Sequence, residues 1–364
     1  MKYRVRLSPE EALHIGLDVI PRSDGGNAKY RITQEQREEV LRYRHKGLAQ
    51  HCESRGIDIN AVSQYWDKTK GYSVQVRPNV VAMHDLAEDI LEDMKAHVPK
   101  YKKINREPSD EPHMLLIDPA DIHIGKLASS FEVGEDYNNE IAVKRVYEGV
   151  EGILQKAWGF DINQIALVIG NDILHVDTPR RTTTSGTPQD TDGMWYDNFR
   201  KAVQVYVDVI ETLRQVAPVY VTYNPSNHDY THGFFLAQVV STWFREADDV
   251  KMDVSIAHRK YMMYGKNMIG TTHGDGAKQN DLPLLMATEQ PEYWAKTKYR
   301  YIYTHHVHHK QAKEFPGVTV ESLRSPSGTD SWHHRNGYQG ALKAIEGYIH
   351  HPEHGQIARL SHYF

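Results

Sequence analysis

The chain has 364 residues, 40% of them hydrophobic and 25% charged, with a formal net charge of −5, one cysteine and 22 histidines. These figures exclude three things. No apolar run approaches the roughly 20 residues of a bilayer-spanning helix, the lone Cys52 cannot form an internal disulfide, and an acidic balance leaves no chain-wide basic footprint for a polyanion. The length allows two domains at roughly 100–200 residues each. Met1 to Ser8 lacks the apolar core of a signal peptide, which together with the single cysteine predicts a cytoplasmic protein. Seventeen of the histidines lie beyond residue 110, so metal chemistry is to be sought there.

Residues 1–84 read as a small, mostly helical unit. Ser8-Pro-Glu-Glu11 is a helix start, with a capping serine, proline in the first turn and acids that suit the dipole. Thr33 caps a second helix from Gln34 to about Ser54. Gly56 to Asn60 breaks it, and Ala61 to Thr69 is predicted as a further short helix, giving the outline of a helix-turn-helix. Tyr72 to Arg77 would be a strand-like wing. The unit carries 14 Lys and Arg against 10 Asp and Glu. Two uses fit it: contact with DNA, through residues such as Gln64, Lys68 and Lys70, or assembly, including homo-oligomerisation. Val80 to Val98 is apolar at helical spacing, and the charged, proline-marked stretch Pro99 to Pro112 reads as a linker. The predicted division is therefore 1–84, a helix and linker over 85–112, and a domain over 113–364.

That domain opens with the apolar run Met114 to Ile117, a buried strand that ends in Asp121-Ile-His123. On extended backbone, residues two apart point to one side, so both groups could reach one ion. Tyr137 to Trp158 is predicted helical. Gln164 to Gly170 is a continuous apolar strand of the kind covered on both faces, ending in Gly170-Asn-Asp172. A long polar loop, 178–193, precedes a helix from Met194 to Val216. The strand Pro218 to Tyr223 ends in Ser226-Asn-His-Asp229, and a helix follows near Phe234 to Phe244. Strands at 259–264 and 267–272 lead to His273-Gly-Asp275, and Tyr299 to Thr304 leads to His305-His-Val-His-His309. A late strand, Val318 to Leu323, precedes the loop Ser325 to His334. His350, His351 and His354 read as a solvated surface.

Five strand ends in succession thus deliver Asp/His, Asp, Asn-His-Asp, His and His-x-His. Ligands in open α/β sheets bind beyond the carboxyl ends of the strands. Two divalent ions about 3.5–4 Å apart, with six to eight oxygen and nitrogen donors, match this number and mixture. In this ordered pattern the sequence resembles the calcineurin-like metallophosphoesterase superfamily over about residues 113–320. The resemblance implies an α/β (α+β) fold, a mixed β-sandwich flanked by helices, here with the small helix-turn-helix-like domain in front. It also implies roles. Asp121, His123 and His308 would hold one metal, Asp172 would bridge, and Asn227, His273 and His306 would hold the second. His228 would be the general acid beside the scissile phosphate. The pattern departs from the family's at three places: Gly-Asn-Asp at the second motif, which leaves Asn171 or Asp172 for the bridge, Ser226 for Gly, and His305 for Gly. Asp172 is assigned the bridge because only a carboxylate links two cations strongly.

Asp177 or Asp229 would orient His228, and Arg180 and Arg181 would grip a second phosphate or remain exposed loop charges. The cofactors implied are two divalent ions, manganese first, with magnesium, iron or zinc as alternatives. The wording of the first two motifs and of Gly186 to Gly193 is similar to phage and prophage SbcD-type nucleases. That resemblance implies a metal-dependent hydrolase: an exonuclease-like phosphodiesterase of nucleic acid, DNA foremost, working in the host cytoplasm and with no membrane partner. The alternative is a phosphoesterase of nucleotides or cyclic nucleotides. A cleft narrowed by the 178–193 and 325–334 loops would favour the alternative, and an open groove with basic walls the nuclease.

Overall fold

The computed structural model describes residues 3–21, 27–55, 59, 62–68, 71–76, 101–338 and 340–364. The chain forms two compact units, Met1–Leu91 and Glu92–Phe364.

In the first unit, β1 (Tyr3–Leu7) pairs antiparallel with β2 (Ala28–Ile32) around α1 (Pro9–His14), and α2 (Gln34–Arg44) and α3 (Lys46–Glu53) follow. Both predicted helix starts are capping boxes, Ser8 with Glu11 and Thr33 with Gln36. A small core of Leu7, Ala12, Ile15, Tyr30, Ile32 and Val40 closes the unit. The helix predicted for Ala61 to Thr69 does not form. Its residues make β3 (Val62–Lys68), hairpinned to β4 (Gly71–Val76). Val62, Tyr65 and Trp66 are strand formers, and pairing with the strand-like run just after them outweighs a weak helical pattern. The helix-turn-helix outline therefore fails at its second helix, while the strand predicted as a wing is present. The helix predicted to run from Gln34 to Ser54 is also interrupted, at His45. Lys70 and the helix predicted for Val80 to Val98 lie outside the described residues.

The second unit is the predicted sandwich. Its first six-stranded sheet has the order β15 (Gly355–Tyr363), β14 (Ala344–His351), β5 (His113–Asp118), β6 (Ile162–Gly170), β7 (Val219–Asn224), β8 (Val250–Asp253). β5 to β8 run parallel, and β14 and β15 are antiparallel additions. The parallel strands are joined by α5 (Asn139–Lys156), α6 (Trp195–Val216) and α7 (Tyr230–Trp243); a single turn, α4 (Ser130–Val133), precedes α5. The second sheet has the order β12 (Gln311–Phe315), β13 (Val318–Ser322), β11 (Tyr299–Thr304), β10 (Asn267–Thr272), β9 (Arg259–Tyr264).

Between the sheets lies a core of Met114, Leu116, Ala166, Val168, Met262, Ile269, Tyr303 and Tyr348. Alternate residues of β5 and β6, such as Leu115 and Leu167, are buried as well, which is why these strands read as unbroken apolar runs. The outer face of the second sheet packs Met268, Ile302 and Val320 on α8 (Leu282–Glu289) and α9 (Pro291–Lys296). Residues 101–112 are irregular but tied down: Tyr101 donates to Glu211 at 2.8 Å, Arg106 pairs with Asp249 at 3.0 Å, and Ser109 donates to Asp161 at 2.6 Å. His354 is exposed, as expected. His350 is instead fully buried beside the Tyr303 hydroxyl, and burial pushes its pKa down to about 3.

Gly170 closes β6 with φ +92°, and a Cβ there would lie 2.0 Å from the Asn224 carbonyl oxygen. Gly186 has the same backbone, φ +91°, with nothing within 4 Å. Gly186→Ala should therefore cost only the left-handed penalty, about 1–2 kcal/mol. Gly170→Ala should cost about 2–5 kcal/mol, because a backbone clash is added. Urea unfolding midpoints at unchanged slope give both values.

Candidate metal centre

The parallel strands all end on one side, and their loops are sharply bent. Among the described residues, seven other than glycine have positive φ, and six belong to the predicted motifs: Asp121 (51°), His123 (52°), Asn171 (57°), Asp172 (59°), His306 (70°) and His308 (56°). Asp, Asn and His tolerate this region best among L-residues, but each such position still costs energy. Backbone hydrogen bonds hold them: Asp121 N–H to Asn171 O at 2.7 Å, His123 N–H to Asp172 O at 2.9 Å, Asn171 N–H to Asn224 O at 3.0 Å and His305 N–H to His273 O at 2.8 Å. The side chains of Asp121 and His123, and of His306 and His308, therefore do not converge through strand alternation. They converge through left-handed turns beyond the strands.

Two triads result. Asp121, His123 and His308 each place a donor atom within 4.8 Å of the others, as do Asp172, His273 and His306. Within the first, His308 Nε2 is 3.4 Å from Asp121 Oδ1 and 3.4 Å from His123 Nε2. Within the second, His273 Nε2 is 3.2 Å from Asp172 Oδ2, and Asn227 Oδ1 lies 2.9 Å from the same nitrogen. Donors about 2.1 Å from one ion at angles of roughly 90–110° are about 3.0–3.4 Å apart, so these spacings fit transition-metal coordination. Both oxygens of Asp121 are buried without a hydrogen-bond partner, although its carboxyl is fully inaccessible to solvent. A buried carboxylate in that state calls for a cation. The residues present fit a pair of divalent ions.

Protonation agrees with ligand chemistry. Burial, reinforced by neighbouring imidazoles and Lys126, keeps His123 well below its ordinary pKa and therefore neutral. Burial also lowers His308 and His306. Burial works against the Asp121 and Asp172 carboxylates, yet the histidines beside them, His308 and His273 foremost, hold both below the usual range. His273 is the exception among the imidazoles: burial opposes its cation, but Asp172 outweighs it and raises the pKa to about 9.

Asp172 belongs to a donor triad. Its Oδ1 also accepts from the His228 N–H at 2.9 Å, and its own N–H donates to Ser226 Oγ at 2.7 Å. Ser226 in turn donates to Asp229 at 2.6 Å. Ser226 is thus part of the support beneath the site. Asn171 is buried with both amide atoms unpaired. His305 lies outside the triads and is buried against Asp118 at 3.1 Å.

Neither predicted partner of His228 touches its ring. Asp177 accepts from the Thr231 and His232 N–H groups at the start of α7 and from the Thr184 hydroxyl. It is a helix cap that also pins the 178–193 loop. Asp229 accepts from Leu174 N–H and Ser226 Oγ. The His228 ring instead has Nδ1 3.0 Å from the His175 carbonyl oxygen. His175 is the site residue that motif reading passed over. It is buried, with Nδ1 3.3 Å from that of His123, and forms a third donor group with His123 and His228. Its signal was its place in Gly170-Asn-Asp-Ile-Leu-His175, three residues past Asp172.

The centre opens into a cleft of about 560 Å³ bounded by Thr183 and Gln189 of the polar loop and by Trp332 and Tyr338. Asp172, Asn227, His228, His306 and His308 face it; among the described residues no Lys or Arg does, and Arg180 and Arg181 lie outside its lining. No helix among the described residues is long and apolar enough to cross a membrane.

No family model matches the chain, and no curated protein does. Solved structures do align with it. An archaeal phosphodiesterase covers 69% of this chain and 99% of its own at 9% identity, with a TM-score of 0.31. Zinc-bound Vps29 from Entamoeba histolytica covers 69% and 98% at 12% identity, TM-score 0.30. A hypothetical protein from Pyrococcus horikoshii covers 70% and 89% at 11% identity, TM-score 0.32.

Asp121→Ala should abolish tight binding of one ion, and Asp172→Ala, which removes the carboxylate expected to bridge, should weaken binding of both, seen as a drop in manganese or zinc stoichiometry by titration calorimetry. Arg181→Ala, outside the cleft, should leave stoichiometry at the wild-type value.

Proposed function

We propose that the chain is a calcineurin-like metallophosphoesterase: a dinuclear-metal-dependent phosphodiesterase acting on short nucleic-acid phosphodiesters, either a strand end or a nucleotide diester. The observation that carries this is the pair of donor triads beside one cleft that His228 also lines. Asp121, His123 and His308 would hold one ion and Asn227, His273 and His306 the other, with Asp172 in the bridging place. When bound, such ions neutralise phosphoryl oxygens and make water a competent nucleophile near neutral pH. Manganese suits this mixture of oxygen and imidazole donors.

The chain's own contribution is orientation and proton supply. With Nδ1 facing the His175 carbonyl, His228 must carry its proton there and donate it to that oxygen. Its Nε2 is then the atom left for the substrate. In the protonated ring, Nε2–H can donate to the departing oxygen and neutralise charge as the ester bond breaks. The main-chain N–H of His228 binds Asp172 Oδ1, which ties the position of the acid to that of the bridging carboxylate.

The cleft supports a short diester among the substrates considered. It is walled by both loops and offers three aspartates, Asp172, Asp190 and Asp330, with no cationic side chain among its described lining residues. Long duplex DNA is held by many Lys and Arg contacts to phosphate, and this cleft supplies none. A short diester needs only the ions and His228.

Replacing His228 with Ala should leave metal content unchanged and lower turnover of bis-para-nitrophenyl phosphate with manganese by roughly 10²–10⁴-fold. Metal loss in that variant would make His228 a ligand. Absence of diester hydrolysis by the metal-loaded wild type would overturn the proposal.

A further inference from the structure

We propose that Trp332 and Tyr338 form a stacking wall for a nucleobase, so that the diester over the metal centre is bound with a base against these rings. This rests on the phosphodiesterase reading above and names the group that its substrate carries.

Both residues line the cleft that His228 and His308 face, yet they remain 60% and 62% exposed. Their rings stack on each other with centroids 5.7 Å apart and planes at 22°. Two large, near-parallel aromatic faces left to water inside a cleft offer a surface that a planar heterocycle can cover. The rest of the lining favours a base over other planar groups. With no Lys or Arg in the described lining, the wall does not bind a second phosphate or another anion. Thr183 and Gln189 supply neutral hydrogen-bonding groups of the kind that read a base edge.

The wall is built into the site rather than merely near it. Asp330 caps α10 (Ser331–Arg335) by accepting from the His333 N–H at 2.8 Å, and lies 2.7 Å from His333 Nδ1. The other Asp330 oxygen pairs at 2.9 Å with Lys126, which is itself 1% exposed. The His333 ring stacks on the metal-site residue His308 at 5.0 Å and 17°, and the Trp332 ring meets His333 edge-on at 5.1 Å. The stacking surface therefore stands two ring spacings from His308. Its position is fixed by a buried ion pair on one side and by an aromatic contact with the first triad on the other. A nucleotide, whose base sits one sugar away from its phosphate, matches that separation.

The test uses the full chain without added metal and a dinucleoside methylphosphonate carrying 2-aminopurine, an uncharged mimic of the diester whose fluorescence falls on stacking. The wild type should quench it on binding. Trp332→Ala should weaken binding roughly 5- to 150-fold, the range for loss of one base stack, and Trp332→Phe should restore most of it. An abasic version, followed by competition, should bind wild type and Trp332→Ala alike. Equal quenching by the wild type and Trp332→Ala would overturn the wall, as would abasic and base-bearing mimics of equal affinity. A second variant, Tyr338→Ala, removes a ring outside α10 and guards against local unfolding as the cause. With manganese, the KM for a dinucleotide and for a single-stranded DNA end then separates the two sources of the base: the source whose KM rises in Trp332→Ala is the one that uses the wall, and no rise for either rejects it. Quenching that depends on Trp332 in a chain that hydrolyses no diester would remove the phosphodiesterase reading and leave the wall standing.

Discussion

The centre depends on a few main-chain hydrogen bonds made just past the ends of the strands. Asp121 to Asn171, His123 to Asp172 and Asn171 to Asn224 extend the pairing of β5, β6 and β7 into what would otherwise be free loops. They allow left-handed backbone at residues that are not glycine, at about 1–3 kcal/mol each. The rigid sheet behind them supplies what the loops could not hold alone. The same bonds explain why the donors converge so closely: their main chains are ladder partners before their side chains meet.

Each triad draws on both sheets. Asp121 and His123 follow β5 while His308 follows β11, and Asp172 follows β6 while His273 and His306 follow β10 and β11. The two sheets are joined by the apolar layer around Leu116, Val168 and Ile269 and, at their ends, by the Asn224 side chain donating to the Thr271 carbonyl at 3.0 Å. Cations held in the triads would add a further link of much greater stiffness. Binding energy would then appear as folding energy of the sandwich, as in other sites assembled from distant segments.

Much of this could be read in advance, and the failures have physical causes. The apolar runs of β5, β6 and β7 and the amphipathic helices after them are strong signals, and the polar residues at the strand ends mark the site. β14 escaped notice because its buried face hides Glu346, paired with Arg324 at 2.6 Å, and His350, paired with a tyrosine. A strand that satisfies polar groups internally looks hydrophilic on paper. The first strand of the hairpin at 62–76 escaped because short segments with mixed propensity are decided by their neighbours. His175 and the Ser226–Asp229 pair support the site through bonds between segments about 50 residues apart, which local patterns do not encode. The sequence pattern offers Asp177 as a group to orient His228, but its protein environment uses it to cap α7.

The absence of cationic side chains from the described cleft lining has a kinetic meaning. Protein charges ordinarily draw an anionic ligand in and accelerate encounter. Here the charges that line the cleft are the carboxylates of Asp172, Asp190 and Asp330, which repel phosphate, and the buried Lys126 offsets only Asp330. Bound ions are the largest local charges in such a site and can reverse the sign of its field. The cleft would thus be repulsive to its own substrate class when empty and attractive when loaded. Metal occupancy would govern the rate of capture as well as the chemistry, so that an unloaded molecule would not sequester substrate it could not use.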